Sequence, residues 1–257
     1  MVMTLIASLP EPQIALATLN RPERANALNT QLAQEITAFF RHLPKDRRAV
    51  ILTGAGKHFC AGADLKDRQG MNETAWQEQH SALEAALHAV LQCEIPVIAA
   101  VNGAAMGGGL ELALACDFIY AADNARFALT ETTLGIMPGL GGTQTLPRAV
   151  GLQRAKELIF SGKSFTAAEA LAWGMVGKVV PPEKLLEETQ EVAKIAAANA
   201  PLAVKFVKNS MNQGVDMSLA EAMAADLARY ATLLSTHDRQ EGINAFNQKR
   251  KPSFTGQ

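Results

Sequence analysis

The stretch NGAAMGGGLELALACD, Asn102–Asp117, sets three consecutive glycines, Gly107–Gly109, against a run of good helix formers. Its only charge before the closing aspartate is Glu111. Glycine permits backbone geometry and close approach that other residues forbid. A helix starting near Gly108 presents unpaired backbone N–H groups at its first turn. Such a site suits an oxyanion or the oxygen of a polarised carbonyl, and Glu111 would sit beside it. The same pattern also suits tight strand-to-helix packing, with Glu111 as an acid favoured by first-turn electrostatics. Taken alone, the stretch leaves both readings open.

The flanking sequence supplies the fold class. IPVIAAVNG (Ile95–Gly103) is a fully apolar strand that feeds the glycines, and CDFIYAADNARFAL (Cys116–Leu129) holds two more short strands. Further upstream, QIALATLN (Gln13–Asn20) alternates as a strand does, and NRPERANALN (Asn20–Asn29) is a loop. Leu28, Leu32, Ile36, Phe39 and Phe40 then follow helical spacing behind a capping Asn29. AVILTG (Ala49–Gly54) is a short buried strand, GKHFCAGADLKDRQG (Gly56–Gly70) a loop, and Trp76–Gln92 a helix. Apolar strands alternating with helices predict an α/β chain with covered sheets. Past Gly151 helical patterns dominate: Leu152–Phe160, Ala167–Trp173, Glu183–Asn199, Pro201–Asn212, Leu219–Leu234 and Arg239–Lys249. A soft boundary near Ala196–Pro201 divides a core, residues 1–197, from a helical region, residues 198–257.

Composition narrows the function classes. The chain has 257 residues, enough for one large domain. Lys+Arg 24 against Asp+Glu 25 leave a net charge of −1, which gives no electrostatic support for a nucleic-acid or membrane-surface partner. Cys60, Cys93 and Cys116 have no metal-type spacing and read as reduced thiols, so a cytoplasmic location is expected. The N-terminal MVMTLIASLPEPQIAL lacks a basic n-region, and Glu11 interrupts it, so neither a signal nor a transit peptide is expected. SGKS (Ser161–Ser164) would need glycine at Glu157 to be a phosphate loop. No GxSxG is present. His80, Glu84 and His88, spaced four apart, offer either a metal set or a solvated helix face; no dedicated zinc spacing supports the former.

Two further stretches bear on the glycine run. In ARFALTETTLGIMPGLGGTQTLPRAVG (Ala125–Gly151), Glu131 follows a short strand, and Pro138, Gly139, Gly141 and Gly142 follow in a loop. In FCAGADL (Phe59–Leu65), a loop of small residues after a buried strand exposes backbone amides. Together and in this order, the three stretches resemble the enoyl-CoA hydratase/isomerase, or crotonase, family. The similarity runs from about Ile14 to Lys251 and includes NRPERANALN and the closing DRQEGINAFNQKRKP.

The resemblance implies an α/β, crotonase-like spiral of ββα units with a helical C-terminal trimerisation region, trimers pairing into hexamers. It implies an acyl-CoA substrate, with no metal and no cofactor beyond the CoA that is part of that substrate. It assigns the oxyanion hole to the N–H groups of Ala63 and Gly108. It assigns CoA contacts to Ala25, to the loop of Ala61, Ala63, Asp64 and Leu65, and to Phe246 and Lys249 near the C-terminus. Both family glutamates are matched, by Glu111 and Glu131, as in the hydratases; isomerases of the family often keep one. Thr130 stands where many hydratases have proline. Within the family, FCAGADLKDR, GGGLELALACD, RAKELIFS and MNQG are most similar to the methylglutaconyl-CoA hydratase type, with a straight-chain enoyl-CoA hydratase as the near alternative. That type is also described as binding AU-rich RNA through a lysine-rich helix. Here the matching segment, Asn29–Arg48, carries only Arg41, Lys45, Arg47 and Arg48 near its end, so RNA binding is not expected. Trp76, Met137 and Leu140 are candidates for the acyl pocket or for ordinary core.

Overall fold

The computed structural model describes residues 3–257. Met1 and Val2, which belong to the N-terminal stretch read for targeting signals and to the predicted core region, lie outside the described residues. Numbered along the chain, one sheet runs in the order β1-β2-β3-β4-β6-β9. Its strands are β1 (Leu5–Glu11), β2 (Ile14–Leu19), β3 (Ala49–Gly54), β4 (Val97–Val101), β6 (Phe118–Ala122) and β9 (Lys178–Val180). Only the β1–β2 pair is antiparallel. A smaller sheet holds β5 (Ala104–Met106), β7 (Arg126–Ala128) and β8 (Phe165–Thr166) in sequence order.

The apolar run of β3 and β4 reflects cover on both faces. Val50, Leu52, Val97, Ala99 and Val101 point into the main core; there they meet α1 (Thr30–Arg41) and α3 (Glu73–Leu91). Ile51, Ile98 and Ala100 point the other way, against Leu185, Ala193 and Ala197 of α8 (Leu185–Ala197). Helix α1 starts where its cap predicts: the Asn29 side chain accepts from Leu32 N–H at 2.9 Å.

Each turn of the chain spends one strand on the large sheet, one strand or bridge on the small layer, and then a helix. After β2 comes the Leu28 bridge to Ala63; after β3 comes the Cys60 bridge to Ala105; β4 is followed by β5, and β6 by β7. The Leu28–Ala63 and Cys60–Ala105 bridges and the β5–β7 pair are all parallel, so successive turns stack in register. This is the expected spiral of ββα units.

Several elements depart from the sequence expectations. The glycine-rich segment after Glu131 is not loop throughout, because α5 (Gly142–Val150) begins inside it, with Gly141 at its N-cap. The segment leading into the glycine run contains β5, and the Gly56–Gly70 loop contains one helical turn, α2 (Leu65–Arg68). The edge strands β1 and β9 and the two-residue β8 were not anticipated.

The helices α4 (Gly108–Leu114), α6 (Leu152–Ser161) and α7 (Ala167–Ala172) complete the core. Beyond α8 lie α9 (Pro201–Gly214), α10 (Leu219–Leu233) and α11 (His237–Asn247). Helices α9 and α10 pack on each other and bury no residue. The terminal segment is tied to the core by Arg48, which donates to the carbonyls of Ala197 and Phe254, and to α11 by the Asp238 carboxylate, which accepts from Thr255 and Gly256 N–H. No helix among the described residues is long and apolar enough to cross a membrane.

Candidate active site

Three consecutive turns of the spiral deliver residues to one place. Ala63 follows the Cys60 bridge, Gly108 and Glu111 follow β5, and Glu131 follows β7. All four line a single cavity of about 870 Å³.

The glycines do separate jobs. Gly107 has φ 51 and ψ −126, and a Cβ there would lie 2.8 Å from a Glu131 carboxylate oxygen. A Cβ on Gly109 would lie 2.1 Å from the Cys60 carbonyl oxygen, so only glycine lets α4 lie against the preceding turn. Gly108 N–H is in the first turn of α4 and has no helical acceptor. The bonds flanking Ala63 run from Leu28 N–H to Gly62 O and from Asp64 N–H to Leu28 O, which leaves the Ala63 N–H free. Two N–H groups with no acceptor among the described residues therefore border the cavity.

Glu111 is buried. One of its oxygens, Oε1, accepts from Leu140 N–H at 2.8 Å and from Gly142 N–H at 2.7 Å. Burial pushes its pKa up to about 7; the two N–H bonds oppose that rise, and the nearby Glu131 adds a small push upward. Glu131 is buried as well, and burial raises its pKa. Its Oε2 is the one sealed side-chain oxygen without a protein partner among the described residues. Thr130 in place of proline does not leave this turn open. Its carbonyl accepts from both the N–H (3.0 Å) and the hydroxyl (2.7 Å) of Thr133.

The residues that the resemblance assigns to CoA divide. Ala61, Ala63 and Leu65 line the cavity, and Ala61 N–H donates to Ala25 O at 3.0 Å, which joins the two predicted loops. Asp64 does not line it. Its carboxylate caps α2 through Lys66 and Asp67 N–H and pairs with Arg21 at 3.0 Å. The Asp64 side chain thus staples the loops. Phe246, 83% exposed, and Lys249 are outside the cavity lining. Trp76, Met137 and Leu140 do line it.

Two lining residues escaped the sequence reading. His80, expected on a metal set or a solvated face, borders the cavity with its ring against Gly139. It is 3.6 Å from Glu84, and no group of three metal-type ligands exists among the described residues. Arg68 is buried; it lies in the predicted Gly56–Gly70 loop and closes the FCAGADLKDR stretch but has no role of its own in the sequence reading, and its place in the cavity wall follows only once α2 and α3 are set around it. Of the four cations weighed for RNA, Arg47 and Arg48 are bonded to protein carbonyls.

Comparison with known proteins agrees with this geometry. A family model described as enoyl-CoA hydratase/isomerase matches residues 11–257. The short-chain-enoyl-CoA hydratase of Clostridium acetobutylicum is 41% identical over 244 residues, 94% of each chain. The 2,3-dehydroadipyl-CoA hydratase of Escherichia coli is 40% identical over 249 residues, 96% of each. The crystal structure of an enoyl-CoA hydratase from Bacillus anthracis superposes with a TM-score of 0.97 at 43% identity, covering 99% of this chain and 100% of that one. With the family model matching residues 11–257 and these relatives covering 94–99% of it, the chain belongs to the enoyl-CoA hydratase/isomerase family.

Proposed function

We propose that the protein adds water across the 2,3 double bond of an enoyl-CoA thioester. The observation that carries this reading is the pair of buried carboxylates, Glu111 and Glu131, facing one cavity with the free N–H groups of Ala63 and Gly108. The two N–H groups receive the thioester oxygen, where enolate charge develops; loss of one such donor costs about 3–4 kcal/mol in acyl-transfer enzymes. Glu111, whose Oε1 is held by two amides that favour the ionised form, takes a proton from water as the water oxygen bonds to Cβ. Glu131, buried on the same cavity with an Oε2 that accepts from no described residue, gives a proton to Cα. The pair holds one proton throughout, moved from Glu131 to Glu111 by turnover, in line with the reluctance of neighbouring carboxylates to ionise together. This chemistry asks for no metal or redox cofactor, since CoA arrives as part of the substrate. Binding of CoA by the Ala25 and Ala61–Leu65 loops belongs to the same reading.

The test is hydration of crotonyl-CoA and 3-methylglutaconyl-CoA by purified protein, with products read by mass. Addition of 18 Da supports the hydratase. An unchanged mass with a moved double bond reassigns the site to isomerisation, and free CoA reassigns it to hydrolysis. The rate ratio between the two thioesters chooses between the straight-chain and methylglutaconyl types.

We also infer that a core of residues 1–197 assembles through residues 198–257 into a homotrimer or a hexamer. Val207 and Met211 on α9 and Leu219, Met223 and Leu227 on α10 are exposed, Leu219 by 77%, an apolar face suited to a second copy. A cytoplasmic setting fits three buried free thiols.

A further inference from the structure

Two arginines in this chain are equally buried, at 9% exposure, and only one has a counter-ion. Arg21 pairs with Asp64 at 3.0 Å. Arg68 has no carboxylate within ion-pair distance among the described residues. Its Nε donates to Oε1 of the buried Gln79 at 2.7 Å, and its guanidinium stacks over the Trp76 ring at 4.2 Å. Its two Nη groups donate to no acceptor among the described residues. They are not sealed away, because Glu131 Oε2 is the only sealed and unpartnered side-chain polar atom among the described residues. Arg68 lines the cavity that holds Glu111 and Glu131.

A buried cation without a counter-ion is costly, and burial pulls the Arg68 pKa below its ordinary value. The chain nevertheless fixes this guanidinium from two sides and leaves its bidentate fork open. That is the geometry that receives a carboxylate. The neighbouring wall is polar as well, with Gln77, His80 and Ser81, while Leu134, Ile136, Met137 and Leu140 supply the apolar remainder.

We propose that the acyl end of the cavity is built for chains that end in a carboxylate, received by the Nη groups of Arg68. The inference rests on the reading of the cavity as an acyl-CoA site and names the acyl class it selects. The other anion an acyl-CoA brings is phosphate. A phosphate on Arg68 would serve every CoA thioester alike, and the test separates the two sources.

Saturated thioesters isolate binding from chemistry. Titration calorimetry with glutaryl-CoA, pentanoyl-CoA and free CoA is run on wild type, Arg68→Met and Arg68→Lys, and kcat/KM is measured for glutaconyl-CoA and pent-2-enoyl-CoA. Wild type is expected to favour the carboxylate-ended member of each pair by about 100-fold, since a site that bonds a polar group strongly rejects the analogue lacking it. Arg68→Met brings both ratios close to one, and Arg68→Lys, a charge without the fork, restores part of the preference. Equal affinity of wild type for glutaryl-CoA and pentanoyl-CoA overturns the proposal. So does an Arg68→Met variant that weakens both thioesters and free CoA to the same degree, the mark of a phosphate contact or a structural role. If wild type prefers glutaryl-CoA but hydrates neither enoyl thioester, the hydratase reading falls and the carboxylate site stands.

Discussion

Gly107, Gly108 and Gly109 are adjacent and chemically identical, yet their neighbours make them answer to different constraints. Gly109→Ala puts a methyl 2.1 Å from the Cys60 carbonyl, backbone that cannot yield. The expected outcome is loss of folded protein, seen as insolubility or a collapsed thermal transition. Gly107→Ala meets strain at φ 51 and a collision with Glu131, and is expected to lower activity more than stability. Glu111 invites the opposite outcome. Its folded-state pKa is raised, so the native state holds the proton more tightly than the unfolded chain does. Stability is therefore fully present in acid and declines as pH rises from the ordinary carboxylate range to about 7. Glu111→Gln removes that decline. It is expected to cut kcat by about 10²–10⁴-fold while raising Tm at pH 8, with little change at pH 4; melting curves at the two pH values check it. In the wild type, kcat/KM should rise with pH through about 7 as Glu111 ionises. At this scale the sequence was informative about residue types: it singled out the glycines and both glutamates. It could not show that Oε1 of Glu111 is held by Leu140 and Gly142, because those partners are backbone amides and any residue supplies one.

Among the elements, those with a clear period were legible and the short ones were not. Helix α1, with its Asn29 cap and apolar face, and β3, with its apolar run Ala49–Leu52, lie where the pattern puts them. Strands of two or three residues such as β5, β8 and β9 carry no measurable alternation. Helix α5 opens on a glycine and contains Pro147, both ordinary helix breakers, and forms because packing of Leu146 and Val150 overrides them. An ion pair adds to the backbone bonds that join the two loops. Arg21 reaches Asp64 and the Ala27 carbonyl, so the Asn20–Asn29 and Phe59–Leu65 loops hold each other in place. Asp64→Ala strands a buried guanidinium and uncaps α2; a loss of about 3–5 kcal/mol is expected from urea unfolding, together with a higher KM for any CoA thioester.

At the scale of the molecule, the α9–α10 arm is the part least explained by its own chain. The tail was recognisable as helical from its spacing, but amphipathic spacing predicts an apolar face without saying what covers it. Here Leu219, Met223 and Leu227 face outward. Met223→Glu with Leu227→Glu is expected to shift the mass by light scattering from a trimer or hexamer to a monomer, with the core transition retained. An unchanged mass would move the assembly surface elsewhere.

The two amides that grip Glu111 belong to Leu140 and Gly142, at the end of the segment that, with Met137, walls the cavity. That stretch of cavity wall is thus continuous with the bracket that holds Glu111. Remodelling that wall for a bulkier acyl group would shift the two amides and, with them, the proton affinity of Glu111. In such a scaffold, substrate range and pH optimum are inherited together, and variants selected for one should drift in the other.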